Sequence, residues 1–132
     1  MIFFIQNTKM SIRTGIDIVE ISKFTEHLKS EGFVRKVFTP TEIEVCEAAV
    51  DPVQCYAGKF AAKEAFMKAI GKGIRQEVWF TQIEVLKKET GEPYIRVIGK
   101  TEQAFKASNM RKINISVSGP NNLVVAMVIL NE

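Results

Sequence analysis

The chain has 132 residues, of which 46% are hydrophobic and 25% charged, and its net charge is +3. These values are typical of one globular domain that buries its own core. The mild basic excess does not indicate nucleic-acid binding by itself, and it is compatible with an acidic protein partner or a phosphorylated ligand. No apolar run reaches the roughly 18 residues that a membrane span needs.

The two cysteines and the opening residues bear on compartment and domain boundaries. The spacing of Cys46 and Cys55 matches no metal motif, and two cysteines are too few for a disulfide scaffold. We therefore expect two free thiols in a reducing cytoplasm.

Residues 1–10 are apolar without the pattern of a signal peptide, and they are either an extra strand or a leader before a second start at Met10. We expect a single domain over residues 11–132.

The predicted elements begin with a strand over Ser11–Val19, because this segment alternates and is partly β-branched. A polar helix follows over Ser22–Ser30 and is expected to end near Gly32. Residues 33–38 are interpreted as a connector.

The next two predicted helices each have a clear start. Thr39 is placed to cap the first, with Pro40 in its first turn and Glu42 three residues after the cap. Asp51-Pro52 begins the second, which is free of proline from Val53 to Ile70 and rich in strong helix formers. Two glycines then end it.

The remaining elements are four strands and one short helix. A hairpin is predicted from two strands around Gly91, and two more strands flank the turn 119–122. The predicted ranges are Phe80–Lys87, Pro93–Ile98, helix Lys100–Ala107, Lys112–Ser118 and Leu123–Leu130. The order βαααββαββ indicates an α+β fold whose mainly antiparallel sheet packs on a long central helix.

Two acidic residues stand where a packed core would not require them. Asp17 lies in an apolar strand, where a carboxylate is costly to bury, although an edge-facing or helix-capping acid is an alternative. Glu64 lies among alanines in the central helix. It is either part of a solvated i, i+4 pair with Lys68 or directed into a crevice.

Together these residues favour a magnesium site. Two carboxylates on different elements suit Mg²⁺, which takes oxygen ligands and completes its shell with water and substrate phosphates. Lysines along the central helix would neutralise a pyrophosphate. They are Lys59, Lys63, Lys68 and, in Gly71-Lys72-Gly73, Lys72. The glycine pair alone is a weak phosphate signal, because helix termination explains it equally well.

Four segments resemble one known family. The segment Gly15-Ile16-Asp17-Ile18-Val19-Glu20 is similar to its opening signature, and residues 60–73, Phe-Ala-Ala-Lys-Glu-Ala-Phe-x-Lys-Ala-x-Gly-x-Gly, to its central one. The segments 83–94 and 115–118 are similar to the parts that follow. The chain is thereby identified as resembling the bacterial holo-acyl-carrier-protein synthases, the small trimeric class of 4′-phosphopantetheinyl transferases, from about Thr14 to Ile129.

The resemblance implies an activity and roles for the residues. The family transfers the 4′-phosphopantetheine group of coenzyme A to a serine of an apo acyl carrier protein and releases 3′,5′-ADP. Asp17 and Glu64 would hold Mg²⁺, and Lys68 would either deprotonate the serine or pair with phosphate. The resemblance also implies a homotrimer with active sites between subunits. The residues expected to bind coenzyme A are Lys59, Lys63, Gly71, Gly73, Ser116 and Ser118.

The first helix of the family docks the acidic carrier protein. The corresponding basic residues here are Lys23, Lys29, Arg35 and Lys36, although an ordinary solvated face is the alternative interpretation.

One position departs from the family pattern. The closing motif continues with a histidine, whereas this chain has Gly119 after Ser118. In the family that histidine lies at the nucleotide end of the site, so we expect a weakened or re-specialised enzyme. The main alternative is a non-catalytic paralogue that binds carrier proteins or a synthase partner. A small nucleic-acid-binding domain is a second alternative, but no basic run flanks the aromatic residues that it would need.

Overall fold

The computed structural model describes residues 11–71 and 78–132. Gly73, Lys72 and residues 1–10 lie outside this part, so the predictions on them stay predictions. A single 3₁₀ turn covers Phe80–Gln82. The described elements are β1 (Ile12–Glu20), α1 (Ile21–Leu28), α2 (Glu31–Val37), α3 (Pro40–Glu47), α4 (Pro52–Ile70), β2 (Ile83–Lys87), β3 (Pro93–Val97), α5 (Gly99–Ala107), β4 (Lys112–Ser118) and β5 (Leu123–Asn131).

The predicted α+β class is confirmed, and the strands form two antiparallel sheets. Strands β1, β5 and β4 make a three-stranded sheet in that order, and β2 pairs with β3 as the predicted hairpin. In the larger sheet Asp17 lies opposite Ala126, which in turn lies opposite Val117. Because directly paired residues share a face, these three side chains are directed to the same side of the sheet.

One predicted connector is wrong, because residues 33–38 lie almost entirely within α2. Ser30 caps this helix by accepting a hydrogen bond from the backbone N–H of Phe33 at 3.2 Å. The acidic Glu31 lies in the first turn, and Arg35 and Lys36 lie in the last, which complements the helix dipole. The prediction failed because Gly32 was interpreted as the end of a helix, whereas it lies near the start of one.

Helix α4 is the centre of the fold and packs closely on β1. Its starting cap is confirmed, since Asp51 Oδ1 accepts from the backbone N–H of Gln54 at 3.1 Å. Most of its side chains are buried, and at Gly15 the strand lies directly on the helix backbone. A Cβ atom at Gly15 would lie 2.7 Å from the Ala69 nitrogen and would overlap the Ala65 carbonyl oxygen.

The predicted free thiols are wrong, because Cys46 and Cys55 form a disulfide between α3 and α4. The capping box of Thr39 and Glu42 begins α3 as predicted. The two helices then bring the cysteine Cα atoms to 5.3 Å, within the range that a disulfide spans. Spacing along the sequence did not reveal this proximity.

None of the helices in the described ranges has the length and apolar character that crossing a membrane requires.

Candidate active site

A crevice between β1 and α4 brings together two of the predicted catalytic residues. Lys68 Nζ donates hydrogen bonds to Asp17 Oδ1 and to the backbone carbonyl of Ile16, both at 3.0 Å. The Asp17 side chain keeps 16% of its exposure and that of Lys68 keeps 46%. The pair is therefore open to a ligand from solvent.

Glu64 lies one helical turn before Lys68 on α4 and is half-buried. Residues four apart share a helix face, so Glu64 belongs to the same side of α4 as Lys68. That side faces β1, because Lys68 contacts Asp17 there. The structure thus places Lys68 in contact with Asp17, and it places Glu64 on the same side of α4.

The crevice offers the donor chemistry that Mg²⁺ prefers, but it is not a complete protein cage. Asp17 and Glu64 carry carboxylate oxygens on different elements. Within residues 11–71 and 78–132, no three acidic, histidine or cysteine side chains form a group suited to hold a metal. A cation with two carboxylate ligands takes its other oxygens from water and phosphate, which is the usual situation for Mg²⁺.

The expectation that Lys63 contacts coenzyme A is not supported by its position. Lys63 is fully buried, and its Nζ donates to Glu42 Oε1 at 2.7 Å and to the carbonyls of Val37 at 2.6 Å and Phe80 at 2.9 Å. The second oxygen of Glu42 accepts from the Val85 backbone N–H at 2.8 Å. Lys63 therefore joins α4 to α2, α3 and the 3₁₀ turn inside the core, and Glu42 extends this network to β2.

Lys59 has a similar position, so the expectation that it binds coenzyme A is not supported either. It is 6% exposed, and its Nζ donates to the carbonyl oxygen of Val85 at 2.6 Å. Burial lowers the pKa of Lys59 and of Lys63, and the Glu42 carboxylate opposes that shift in both. The pattern of small residues along α4 showed a close contact but not which lysines were on the buried side.

Gly71 and the two serines lie at different parts of this region. Gly71 ends α4 with a φ of 93°, a conformation that glycine adopts without strain. Arg13 Nη1 donates to the carbonyl oxygen of Ile70 at 2.8 Å and so fixes this helix end to β1. Ser116 and Ser118 are exposed on the face of β4 opposite to α4. Within one chain Ser116 and Ser118 therefore lie on the other side of the sheet from Asp17.

Gly119 occupies a position in which no side chain fits. A Cβ atom there would lie 2.8 Å from the carbonyl carbon of Leu123 and 2.9 Å from Val124 Cα, and it would overlap the Leu123 carbonyl oxygen. A histidine at this position would require a different backbone in the β4–β5 turn. The backbone of the β4–β5 turn therefore requires glycine at the position where the family motif has histidine.

The predicted docking residues are all exposed on adjoining elements. Lys23 lies on α1 and Lys29 is the C-cap residue of that helix, and they form exposed ion pairs with Glu20 and Glu26. Arg35 and Lys36 lie in the last turn of α2. The half-buried ring of Phe33 lies between these groups and stacks on His27 at a centroid distance of 5.0 Å.

Sequence reasoning missed two residues that organise this region, Arg13 and Asn122. Arg13 supports the end of α4, as described above. Asn122 Oδ1 accepts a hydrogen bond from the backbone N–H of Ser22 at 3.0 Å, at the start of α1. Asn122 is 100 residues from its partner. No local pattern could have revealed this contact, although the side-chain oxygen of asparagine is a typical acceptor for the first amides of a helix.

The fold and the crevice agree with one protein class. The family model of the 4′-phosphopantetheinyl transferase superfamily matches residues 13–128. The chain belongs to this superfamily.

Individual relatives narrow the class. A holo-[acyl-carrier-protein] synthase of Halothermothrix orenii is 38% identical over 120 residues, covering 89% of this chain and 95% of the relative. The crystal structure of the Neisseria meningitidis holo-[acyl-carrier-protein] synthase matches with a TM-score of 0.84 at 30% identity, covering 91% of this chain and 98% of that one. A Bacillus anthracis holo-(acyl-carrier-protein) synthase in complex with CoA (3′,5′-ADP) matches with a TM-score of 0.76 at 31% identity, covering 92% and 97%. Within the superfamily the chain thus groups with the holo-acyl-carrier-protein synthases, which confirms the resemblance found in the sequence.

Proposed function

We propose that this chain transfers the 4′-phosphopantetheine group of coenzyme A to a serine of an apo acyl carrier protein. The observation that carries the proposal is the contact of Lys68 with Asp17 at 3.0 Å, one helical turn from Glu64. This crevice lies in a chain whose relatives are synthases of this kind, one of them in complex with coenzyme A. The relatives favour this catalytic interpretation over a non-catalytic paralogue.

The reaction exchanges a phosphoanhydride bond of coenzyme A for a phosphodiester bond to the serine. The serine oxygen forms a bond to the phosphorus that carries the pantetheine arm, and the bond from that phosphorus to the 3′,5′-ADP oxygen breaks. The serine proton passes to solvent water, and the released 3′,5′-ADP takes the negative charge. Catalysis of such a transfer consists mostly of positioning and charge stabilisation.

Lys68 suits charge stabilisation in this reaction. Its Nζ donates to Asp17 and to the Ile16 carbonyl, so the amine is oriented as a hydrogen-bond donor over the crevice. A cation held in this way neutralises charge on a phosphate without reorganisation. This favours pairing with phosphate over the alternative role as a base toward the serine.

Asp17 and Glu64 would hold the magnesium ion. When bound, Mg²⁺ polarises the pyrophosphate and neutralises the leaving group. Asp17 is held by β1 and Glu64 by α4, and the close approach at Gly15 fixes the two elements to each other. This close approach of the two backbones supports the proposal that both carboxylates bind one ion.

The deciding experiment uses the full chain with Mg²⁺, coenzyme A and an apo acyl carrier protein. Intact-mass spectrometry of the carrier is expected to show the gain of one phosphopantetheine. Glu64→Gln keeps the size of the side chain and removes its charge, so it is expected to abolish the gain while the protein stays folded.

Glu44→Gln is the matched control, because Glu44 is exposed on α3 and away from the crevice. It is expected to modify the carrier at the wild-type rate. A folded wild-type protein that adds no phosphopantetheine to any of several carriers would refute the proposal.

The carrier protein is proposed to dock on α1 and α2. Lys23, Lys29, Arg35 and Lys36 give these adjoining helices an exposed basic surface, and α1 continues directly from the strand that carries Asp17. Reversal of one of these charges, for example Arg35→Glu, is expected to raise the KM for the carrier and to weaken its dependence on salt, while leaving the KM for coenzyme A unchanged.

The assembly is proposed to be a homotrimer. The face of the three-stranded sheet opposite to α4 supports association, since it carries large apolar side chains that are 40–63% exposed. They are Ile12, Ile16, Ile18, Leu123 and Met127. Monomers rarely expose such a continuous apolar face.

The cytoplasm stays the expected compartment of this protein.

Sedimentation analysis tests this assembly. The wild-type chain is expected to sediment at three times the monomer mass, and Ile18→Glu is expected to sediment as a monomer, because it places a charge in the interface. Val50→Glu, at an exposed apolar residue after α3, is the control and should stay trimeric. A monomeric wild type at micromolar concentration would refute the trimer.

A further inference from the structure

The turn between β4 and β5 is fixed to the first turn of α1 by one residue. The Asn122 carbonyl accepts from the backbone N–H of Ile21 at 2.8 Å, and its side-chain Oδ1 accepts from the backbone N–H of Ser22 at 3.0 Å. Asn122 Nδ2 also donates to Ser22 Oγ at 2.9 Å. Three hydrogen bonds therefore join this turn to the start of the helix.

Helix α1 has no cap of its own. Its N-cap residue is Glu20, which makes no side-chain capping hydrogen bond, and the first turn contains no acidic residue. The first amides of a helix have no acceptor within the helix and need one from elsewhere. Asn122 supplies that acceptor from the other end of the chain.

The turn reaches α1 because of its compact backbone. The Leu123 backbone N–H donates to the Pro120 carbonyl at 3.1 Å, and Asn121 has a φ of 54°. The same conformation excludes a Cβ atom at Gly119, as described above. The residue that replaces the family's histidine is thus required by the turn that carries Asn122.

Helix α1 also connects the crevice to the proposed docking surface. It begins at Ile21, immediately after β1 ends at Glu20, and Asp17 lies three residues before that end. Lys23 follows in the first turn of α1. A change in the direction of this turn would therefore move the docking residues relative to the Asp17–Lys68 pair.

We propose that Asn122 is a positioning residue for carrier-protein docking, which fixes the start of α1 relative to the catalytic crevice. Gly119 is the residue that permits this arrangement. The inference rests on the proposed function, and it assigns to the β4–β5 turn a role in holding α1.

The test compares steady-state KM values for the carrier and for coenzyme A, with the full chain and Mg²⁺. Asn122→Ala is expected to raise the KM for the carrier by about fivefold, which corresponds to the loss of one cap. The KM for coenzyme A and kcat should stay within about twofold. Asn122→Asp keeps the acceptor and adds charge that suits a helix start, so it should restore the wild-type value.

Two further variants separate positioning from general stability. Gly119→His is expected to open the turn and to reproduce the effect of Asn122→Ala. Gln103→Ala, at an exposed amide on α5, is the matched control and should leave both KM values unchanged. If Asn122→Ala does not fold, Ser22→Ala, which removes only the side-chain bond, is expected to show a smaller rise in the same direction.

Several outcomes would overturn the inference. An equal rise in the KM for coenzyme A would place the turn at the nucleotide, and a fall in kcat alone would indicate a partly unfolded protein. An Asn122→Asp variant as impaired as Asn122→Ala would exclude capping as the cause. Failure of the wild type to modify any carrier would refute the proposed function instead.

Discussion

Lys68 Nζ lies 3.0 Å from Asp17 Oδ1, and this pair connects the middle of β1 to the last turns of α4. The two residues are 51 positions apart in the sequence. Because both side chains keep contact with solvent, their ion pair adds little to stability. Its position beside Glu64 is better explained by charge stabilisation during phosphoryl transfer.

The first prediction concerns Lys68. Lys68→Met is expected to lower kcat at least about a hundredfold, because it removes a positioned cation from the crevice. The free energy of unfolding should change by less than about 1 kcal/mol, since Lys68 keeps 46% of its exposure and the pair contacts solvent. Lys68→Arg keeps the charge and should retain more activity than Lys68→Met. Mass spectrometry of the carrier at successive reaction times measures kcat. Equal activity of Lys68→Met and Lys68→Arg would contradict a role for the positive charge.

The second prediction concerns the close approach of β1 and α4. Gly15→Ala is expected to destabilise the protein by about 3 kcal/mol or more, because the new Cβ atom would overlap the backbone of α4. Chemical denaturation measures the change. Activity of the folded fraction should also fall, since Asp17 would move away from Glu64.

Gly32→Ala is the matched control for this substitution. Gly32 lies near the start of α2, and an added Cβ atom would meet only Ser30 Oγ at 3.7 Å. Alanine is a better helix former than glycine, so this variant is expected to be as stable as the wild type or up to about 1 kcal/mol more stable. Equal destabilisation of the two variants would show that the close approach is unimportant.

Local patterns in the sequence predicted much of this fold. The capping box of Thr39 and Glu42 and the Asp51-Pro52 start each depend on residues within one turn, and both helices begin where predicted. The connector at 33–38 was wrong because glycine both ends helices and tolerates their first turn. Here Ser30, just before Gly32 in the sequence, decides the outcome because its side chain caps α2.

Contacts between distant segments were less accessible to sequence reasoning. Asp17, Glu64 and Lys68 were predicted together through the family signatures, and the structure shows a contact between Asp17 and Lys68. Lys63 lies beside Glu64 in the same signature, yet it points into the core, because adjacent helix positions are about 100° apart. The sequence of the signature alone does not show which of its charged residues lies on the buried side of the helix.

The third prediction concerns the buried pair of Lys63 and Glu42. Both side chains are fully buried, so removal of one partner leaves an uncompensated charge or unsatisfied donors in the core. Lys63→Met is expected to lower the free energy of unfolding by about 3–5 kcal/mol. The double variant Lys63→Met/Glu42→Leu should be less destabilised than the sum of the two single variants, as a double-mutant cycle would measure.

An exposed ion pair provides the control for that cycle. Lys29 and Glu26 are 3.1 Å apart, with side chains that keep 67% and 71% of their exposure. Lys29→Met is expected to change stability by less than about 1 kcal/mol. If Lys63→Met were as mild as this control, Lys63 would have to be released from the core, and the earlier assignment to the coenzyme would regain support.

The fourth prediction concerns Tyr56 at high pH. Burial, together with the nearby Glu47 carboxylate that accepts from the Tyr56 hydroxyl at 3.2 Å, raises the pKa of Tyr56 from 10.0 to about 12. Between these two pH values the unfolded chain loses the phenolic proton while the folded chain keeps it. The free energy of unfolding should therefore fall by about 2 kcal/mol as the pH rises from 10 to 12.

The comparison with Tyr56→Phe isolates this effect from other groups that titrate at high pH. Below pH 10 the wild type should hold its full advantage over the variant, and the advantage should diminish through the pKa of the folded state. Glu47→Gln removes the neighbouring charge, so the ultraviolet absorbance of tyrosinate should appear at lower pH than in the wild type. A wild type and a Tyr56→Phe variant that lose stability in parallel over this range would show that Tyr56 ionises as readily in the folded chain as in the unfolded one.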